Sequence, residues 1–350
     1  MKQIAVMFGG CSPEYSVSLA SAAGVLRNLD RARFAPVMIG ITRQGDWYWY
    51  QGPVDNVEQD TWFCEEWCTP AALSQSRTNP GLWVWETSGV RKLTIDAALP
   101  ILHGENGEDG SVQGALSLAG IPLAGCGILA SALCMDKARA HQLVQQIGVR
   151  VPKQVVLYPG ESLEKAESFL EDVGCPAFVK PVKAGSSYGI SRLQTKEDLA
   201  QAVKLAFQYD DTVIVEEGIP GFEVGCAVLG TKELTVGAVD EIELVKGFFD
   251  YTEKYTLETA AIHLPARISS EKTKEVQETA KKIYRVLGCT GFARVDLFLT
   301  PSGELVFNEV NTIPGFTEHS RYPGMMRAAG LSLQEVLTRI LETAKPSADI

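Results

Sequence analysis

The chain has 350 residues, of which 45% are hydrophobic and 21% are charged, and its formal net charge is −11. This length is too great for one compact core and predicts two or three domains. The negative charge argues against a nucleic acid or an anionic membrane as the main partner. The sequence contains no signal-peptide pattern and no apolar run of the roughly 20 residues that a membrane helix needs, so we expect a cytoplasmic protein.

The first part of the chain predicts the opening of an α/β domain. Residues 3–8 form a short apolar run that is typical of a buried strand, and residues 16–29 have the composition of a helix that packs on a sheet. Further strands are predicted at residues 36–41 and 95–103, and a helix at residues 111–119. This order of strands and helices is typical of an α/β domain.

All six tryptophans of the chain lie within residues 43–95. The alternation of aromatic residues at 47–50 and 83–85 predicts the strands of a hairpin-like insertion. We expect this insertion to form a small satellite core. Stacking of its tryptophans on a partner protomer is the alternative.

Strands and helices alternate through the rest of the chain, and a change in composition near residues 125–135 marks the first domain boundary. The predicted strands are at residues 153–157, 177–181, 212–216, 223–229, 234–240, 292–299 and 304–309. The predicted helices are at residues 136–150, 162–173, 196–208, 270–287 and 332–344. We therefore predict an N-terminal domain at 1–127, a central domain at 128–216 and a C-terminal domain at 217–350.

Four polar residues near the C-terminus lie on two predicted strands. Arg294 and Asp296 are two positions apart, as are Glu309 and Asn311, so each pair points to one face of its strand. On neighbouring strands, Asp296, Glu309 and Asn311 would form an all-oxygen set that suits Mg²⁺ bound together with phosphate oxygens. Arg294 beside them can neutralise charge on a transferred phosphoryl group. The apolar flanking residues argue against a solvated strand edge.

Two further segments suit a nucleotide. Lys180 and Lys183 precede a glycine- and serine-rich loop, in which backbone N–H groups can approach phosphate oxygens and lysine supplies positive charge. An ordinary turn is the alternative for this loop taken alone. Glu217 and Glu223 follow the strand at 212–216 and can accept hydrogen bonds from an adenine amino group and a ribose hydroxyl, with a solvated acidic turn as the alternative.

Five ordered motifs resemble the ATP-grasp superfamily and, within it, the D-alanine–D-alanine ligase family, over nearly the whole chain. The motifs are Gly9–Glu14 with Ser16–Ser18, Leu102–Gly110, Lys180–Gly189, Arg294–Asp296 and Asn308–Thr312. The resemblance implies an α/β, three-domain ATP-grasp fold, in which an N-terminal parallel-sheet domain precedes central and C-terminal α+β domains that sandwich ATP. It also implies a homodimer that uses ATP and two Mg²⁺ ions, with Mn²⁺ as an alternative.

The resemblance implies a reaction in which ATP phosphorylates the carboxylate of a first D-alanine and the amine of a second D-amino acid attacks the acyl phosphate. Glu14 would hold the ammonium of the first D-alanine, and Ser186 would bond both Glu14 and Tyr255 to close a lid over the site. His103 would deprotonate or position a group near the first substrate, and a packed loop histidine is the alternative.

The resemblance also implies roles around the nucleotide and the second substrate. Lys180 and Lys254 would contact the ATP phosphates, which Lys183 would also face, while Glu217 would contact adenine and Glu223 ribose. The residues implied for the two Mg²⁺ ions are Asp296, Glu309 and Asn311. The groups implied around the second substrate and the intermediate are Arg294, the backbone of Gly315, and Ser320.

Three positions depart from the family pattern. Ala184 stands where a Glu is usual, and we have no physical account of that change. Phe249 replaces a usual Tyr, and Arg321 follows Ser320 where an apolar residue, usually Leu, is expected. An Arg offers N–H donors to the hydroxyl of D-serine, and a polar wall built for a hydroxyl loses affinity for an analogue without one.

These departures resemble the D-alanine–D-serine ligases of vancomycin resistance, of the VanG-like type. The resemblance implies the product D-Ala-D-Ser, ADP and phosphate, and peptidoglycan precursors with reduced vancomycin affinity. Asp240 could orient Arg321 through a charge-assisted hydrogen bond. The alternatives are a surface Asp and an exposed Arg at the end of a loop. Lys254 and Tyr255 favour an amine over a hydroxy acid as the nucleophile.

Three other functions compete with this hypothesis. A housekeeping D-alanine–D-alanine ligase shares the mechanism, but Arg321 and Phe249 argue against it. Another ATP-grasp carboxylate–amine ligase need not combine Glu14, Ser186 and Tyr255. A regulatory nucleotide-binding module predicts gaps in the catalytic set, and the sequence shows none.

Overall fold

The computed structural model describes residues 1–185, 188–244 and 260–344. These residues form three sheets that follow one another along the chain. Within the described residues no helix is long and apolar enough to cross a membrane. All eight cysteines have free thiols.

The N-terminal sheet has seven strands in the order β6-β5-β4-β3-β2-β1-β7. Its elements are β1 Lys2–Gly9, α1 Tyr15–Asn28, β2 Phe34–Ile41, β3 Trp47–Tyr50, α2 Val54–Glu58, β4 Cys68–Leu73, β5 Leu82–Glu86, β6 Gly89–Leu93, β7 Ala97–Pro100 and α3 Ser111–Leu118. Only β2, β1 and β7 are parallel, and β3 to β6 continue the sheet in antiparallel pairing. The sheet is therefore mixed, because the tryptophan-rich insertion adds hairpin strands to the predicted parallel part.

The insertion does not form a satellite core of its own. Trp62 is fully buried in the main N-terminal core, where its ring centroid lies 5.1 Å from that of Phe8 and 6.0 Å from that of Tyr50. Its indole N–H donates to the hydroxyl of Tyr15, the first residue of α1, at 2.9 Å. Because β3 pairs directly with β2, the insertion extends the existing layers instead of starting a separate one.

The middle sheet has four antiparallel strands in the order β10-β9-β11-β8. The elements of this part are α4 Ile128–Met135, α5 Lys137–Gln146, β8 Gln154–Leu157, α6 Glu164–Val173, β9 Ala177–Pro181, β10 Ser191–Leu193, α7 Leu199–Ala206 and β11 Val213–Glu217. The helix predicted at 136–150 is present as α5, and the preceding α4 was not predicted. Asp136 separates them, and its carboxylate accepts the backbone N–H of Arg139 at 2.9 Å and so caps α5.

The third sheet has five antiparallel strands in the order β14-β13-β12-β15-β16. The elements of this part are β12 Phe222–Gly230, β13 Leu234–Leu244, β14 Ala260–His263, α8 Ser270–Val286, β15 Phe292–Leu299, β16 Leu305–Asn311, α9 Arg321–Ala328 and α10 Leu333–Glu342. Sequence patterns missed α9. Pro323 lies in its first turn, where the missing N–H costs no helical hydrogen bond, and Tyr322, Met325 and Met326 are buried.

The burial of Trp62 gives a test of how the insertion is attached. We expect Trp62→Ala to lower the free energy of unfolding by about 3–5 kcal/mol, because it leaves a large cavity and removes the bond to Tyr15. Trp85→Ala is the matched control, since Trp85 is 48% exposed. It should change stability by only about 0.5 kcal/mol. Urea unfolding of both variants checks this, and equal losses would refute the assignment of Trp62 to the main core.

Candidate active site

A cavity of about 520 Å³ lies between the N-terminal domain and the third sheet. It brings together most of the residues that the sequence singles out. Those that line it are Glu14, His103, Glu223, Arg294, Asp296, Glu309, Asn311, Gly315, Ser320 and Arg321. Such a concave site with convergent charged groups is the expected form of a small-molecule site.

The predicted metal-binding residues lie side by side, as expected from their spacing. Asp296 on β15 pairs with Glu309 on β16, and Arg294 pairs with Asn311. The amide nitrogen of Asn311 donates to Asp296 at 2.9 Å, which leaves its carbonyl oxygen as a cation ligand. No cluster of three His, Cys, Asp or Glu side chains with metal-binding spacing occurs in the described part of the chain. The set of two carboxylates and one amide therefore fits a Mg²⁺ ion only if substrate oxygens complete its coordination.

Asp296 is shared between two arginines whose side chains are largely buried. Arg294 donates to it through Nε at 2.8 Å and through Nη2 at 2.7 Å, and Arg321 Nη2 lies 3.3 Å away. Burial alone would raise the pKa of Asp296, but the two guanidinium groups hold it below its ordinary value. Asp296 is therefore ionised at neutral pH, and it carries the charge that Arg294 and Arg321 need in a buried site.

Arg321 is neither exposed nor at the end of a loop. It begins α9, and its guanidinium lies against the third sheet at the cavity wall. Asp240 binds it through two hydrogen bonds, from Nε at 2.7 Å and from Nη2 at 2.8 Å, and Glu223 accepts from Nη1 at 2.8 Å. Asp240 is itself fully buried, so the surface interpretation of this residue is wrong. The orientation of Arg321 by Asp240 matches the sequence prediction.

Glu14 connects the N-terminal domain to the glycine-serine loop. A Cβ at Gly104 or at Gly185 would lie 2.5 Å from Oε2 of Glu14, so both glycines make room for this carboxylate. Ser12 fixes the same loop, because its hydroxyl donates to the carbonyl of His103 at 2.6 Å and accepts the N–H of Glu14 at 3.1 Å. The carboxylate is thus held at the cavity wall near the predicted first substrate.

His103 is buried and neutral at pH 7, since burial lowers its pKa to about 4. Its Nε2 lies 3.2 Å from the hydroxyl of Ser21, which also accepts the backbone N–H of Phe316 at 3.2 Å. Ser21 on α1 therefore joins the first-substrate side to the loop that carries Gly315 and Ser320. The sequence analysis did not single out Ser21, because nothing in a helix of small residues marks one serine as a cross-domain contact.

Glu108 is a second residue that the sequence analysis passed over. Its carboxylate accepts backbone N–H groups from both sides of the cavity, from Gly104 at 3.0 Å and from Ile313 at 2.9 Å. Burial and, to a smaller extent, the nearby carboxylate of Glu14 raise the pKa of Glu108 to about 7. Its position in the segment 102–110, which resembles a family motif, was the signal that could have identified it.

Three lysines of the middle domain differ in whether their side chains are placed to bind a phosphate group. Lys180 is buried and forms an ion pair with Glu216. Lys183 points elsewhere, because its Nζ lies 3.5 Å from Asp210 and 3.3 Å from Asp211, and this placement does not support a phosphate contact. Lys137 was not predicted, yet it lines the cavity at the start of α5, donates to the carbonyl of Ala184 at 3.0 Å and lies 3.4 Å from Glu309.

The carboxylate beside Lys180 is that of Glu216 and not that of the predicted Glu217. Glu217 accepts the backbone N–H of Lys153 at 3.0 Å and lies 3.4 Å from a guanidinium nitrogen of Arg150. Glu216 is buried, and its Oε2 has no hydrogen-bond partner among the described residues. A buried acceptor without a partner is costly, so Oε2 suits the amino group of a ligand better than Glu217 does. Adjacent residues of a strand point to opposite faces, which explains why a shift of one position matters.

Four predicted site residues lie outside the described residues. They are Ser186, Phe249, Lys254 and Tyr255. Their predicted roles in the lid and near the phosphates stay predictions.

Two family models match the chain, D-ala D-ala ligase N-terminus over residues 3–126 and D-ala D-ala ligase C-terminus over residues 143–342. A solved structure, the VanG D-Ala:D-Ser ligase from Enterococcus faecalis, is 52% identical with a TM-score of 0.90, over 98% of this chain and 99% of that chain. The vancomycin C-type resistance protein VanC1 of Enterococcus gallinarum is 44% identical over 99% of both chains. A D-alanine–D-alanine ligase of Thermoanaerobacter is 40% identical over 99% of this chain and 97% of its own length.

The raised pKa of Glu108 gives a stability prediction with a definite sign. Between pH 4.5 and about 7 the folded protein keeps a proton on Glu108 that an unfolded Glu releases, so this group makes stability fall as pH rises. We expect its contribution to be on the order of 2–3 kcal/mol, and Glu108→Gln should remove it. Urea unfolding of the ligand-free protein at pH 5 and pH 7 measures the difference. Glu105→Gln, at an exposed position of the same loop, should keep the full pH dependence of stability. If Glu108→Gln also keeps it, the prediction is contradicted.

Proposed function

Because the chain belongs to the D-alanine–D-alanine ligase family and has its ATP-grasp fold, it is an ATP-dependent D-alanine–D-X ligase for peptidoglycan precursors, and we propose that X is D-serine. The product would be D-Ala-D-Ser, released with ADP and phosphate, and the resulting precursors would bind vancomycin more weakly. The observation that carries the choice of D-serine is the buried guanidinium of Arg321, fixed by Asp240 at the cavity wall.

The first half-reaction requires that D-alanine is bound in a fixed orientation and that the negative charge of the ATP phosphates is neutralised. Glu14 binds the ammonium group and so turns the carboxylate of D-alanine towards the nucleotide. Lys137 and Lys180 bind phosphate oxygens, and Glu216 accepts from the adenine amino group. Asp296, Glu309 and Asn311 would hold Mg²⁺, which would supply charge neutralisation at the phosphates when bound.

The second half-reaction needs donors around the tetrahedral centre. The amine of the second amino acid forms a bond to the carbonyl carbon of the acyl phosphate, the C–O bond to phosphate then breaks, and the proton lost by the amine leaves with the phosphate. Arg294 and the backbone N–H of Gly315 line the cavity and stabilise the oxyanion. His103 stays neutral at pH 7 and helps to position groups near the first substrate. Ser186 and Tyr255 close the lid in this proposal.

Arg321 supplies the specificity for a hydroxyl. Its contacts with Asp240, Glu223 and Asp296 occupy up to four of its five N–H groups among the described residues, which leaves one N–H for a ligand. A hydroxyl of D-serine can accept that hydrogen bond, whereas the methyl group of D-alanine leaves it unmade. Phe249 in place of a Tyr removes a competing hydroxyl. The implied homodimer and cytoplasmic location stay predictions.

Removal of one metal ligand tests the ligase mechanism. We expect Glu309→Gln to lower the rate of ADP formation from ATP, Mg²⁺ and D-alanine by at least about a hundredfold, because it weakens charge neutralisation at the phosphates. Glu304→Gln is the matched control, since Glu304 is exposed and lies in the turn before the same strand. Near-normal turnover of Glu309→Gln would exclude the proposed Mg²⁺ site.

A charge-balanced pair of substitutions tests the specificity. Arg321→Leu alone would leave Asp240 buried without its partner, so we combine it with Asp240→Asn. We expect the ratio of D-Ala-D-Ser to D-Ala-D-Ala, made from equal D-serine and D-alanine, to fall about 10- to 100-fold, the value of one charge-assisted hydrogen bond. Arg327→Leu, at the exposed end of α9, should keep the ratio. An unchanged ratio in the double variant would leave the ligase mechanism standing and remove Arg321 as the source of selectivity.

A further inference from the structure

Strand register places four residues in one row across the third sheet. Gly225 on β12 pairs with Asp240 on β13 and with Asp296 on β15, and Asp296 pairs with Glu309 on β16. The two aspartates lie on the strands on either side of β12. Because neighbouring strands are about 5 Å apart, the backbones of the two aspartates are about 10 Å apart. The guanidinium of Arg321 enters this gap from α9 and contacts both carboxylates.

The gap exists because Gly225 has no side chain. A Cβ at this position would overlap Nη2 of Arg321 and would lie 2.7 Å from Oδ1 of Asp240 and 2.9 Å from Oδ1 of Asp296. The backbone at Gly225 is ordinary extended strand, so its conformation does not by itself require glycine. What requires glycine is the side chain of Arg321 that lies over it.

We propose that Gly225 is a positioning residue for the second substrate. The missing side chain leaves room for the Arg321 guanidinium over β12, between Asp240 and Asp296. In this position one N–H group of the guanidinium can donate to the hydroxyl of D-serine. This inference rests on the proposed function and adds a residue that contacts no substrate. A methyl group at this position would exclude the guanidinium from its place and so weaken the choice of D-serine over D-alanine.

Arg321 is the neighbour that would move first. Asp240 accepts the backbone N–H of Gly225 at 3.0 Å, and Arg294 holds Asp296 with two short bonds. Both carboxylates lie on paired strands, whereas the guanidinium is the far end of a flexible side chain. The protein should therefore accept Gly225→Ala and shift Arg321, rather than fail to fold.

The test is a double-mutant cycle on product ratio. Gly225→Ala is made in the unmodified protein and in the Arg321→Leu, Asp240→Asn variant. Each protein receives ATP, Mg²⁺, and equal D-alanine and D-serine, and the two dipeptides are counted by mass. Gly225→Ala should lower the D-Ala-D-Ser to D-Ala-D-Ala ratio by about tenfold or more in the unmodified protein and by less than about twofold where Arg321 is absent.

Three measurements keep a general structural effect apart from the proposed one. Gly114→Ala on α3, where a Cβ meets open space, should leave the ratio unchanged. The thermal midpoint should fall more when Gly225→Ala is made beside Arg321 than when Arg321 is absent, because the closest contact of the added Cβ is with Arg321, and this gives a readout independent of activity. The Mg²⁺ concentration needed for half-maximal ADP release should stay the same, because Asp296 keeps its place.

Several results would overturn the inference. An equal loss of ratio in both backgrounds, or no loss in the unmodified protein, would show that Gly225 does not act through Arg321. A shifted Mg²⁺ requirement with an unchanged ratio would assign the effect to Asp296. If the Arg321→Leu, Asp240→Asn variant itself keeps the ratio of the unmodified protein, Arg321 is not the source of selectivity and the inference fails. D-Ala-D-Ala as the main product of the unmodified protein would instead contradict the D-serine function.

Discussion

A buried guanidinium is the constraint around which this site is organised. Removing a positive charge from water costs several kcal/mol unless carboxylates and hydrogen bonds replace the lost hydration. Asp240, Asp296 and Glu223 surround Arg321 for that reason, and strand pairing rather than a loop fixes all three. The donor that we propose for a substrate hydroxyl is therefore held in place before the substrate arrives, which lowers the entropic cost of recognition.

The same arrangement connects the residue that we propose for substrate selection with the residues that we propose for Mg²⁺. Asp296 pairs with both arginines and stands opposite Glu309, so a single row of residues connects the wall that we propose for the second substrate with the proposed phosphate side. On the other side of the cavity, Glu108 bonds backbone groups of two domains and fixes the loop at Ile313. The two substrates would meet between these rigid walls, so that productive orientation comes largely from the fold.

Sequence patterns predicted the parts of the site that depend on local periodicity. The spacing of two within each pair predicted that Arg294 and Asp296 share one face of their strand, as do Glu309 and Asn311. The structure pairs these two strands so that Asp296 lies opposite Glu309. Periodicity could not predict the start of a helix at Arg321, because the segment contains Pro and Gly and its burial depends on a distant sheet. Local sequence also could not show that Glu216, and not Glu217, lies beside Lys180, since only packing decides which face of a short strand turns towards that lysine. Tertiary contacts that join separate domains leave little trace in local sequence.

The most direct measurement gives the unmodified protein ATP, Mg²⁺, and equal concentrations of D-alanine and D-serine, and identifies the dipeptides by mass. We expect D-Ala-D-Ser as the main product, because only the hydroxyl of D-serine satisfies the donor held by Asp240 at the cavity wall. D-Ala-D-Ala as the main product would contradict the proposed role of Arg321 and would return the protein to the housekeeping reaction of its family.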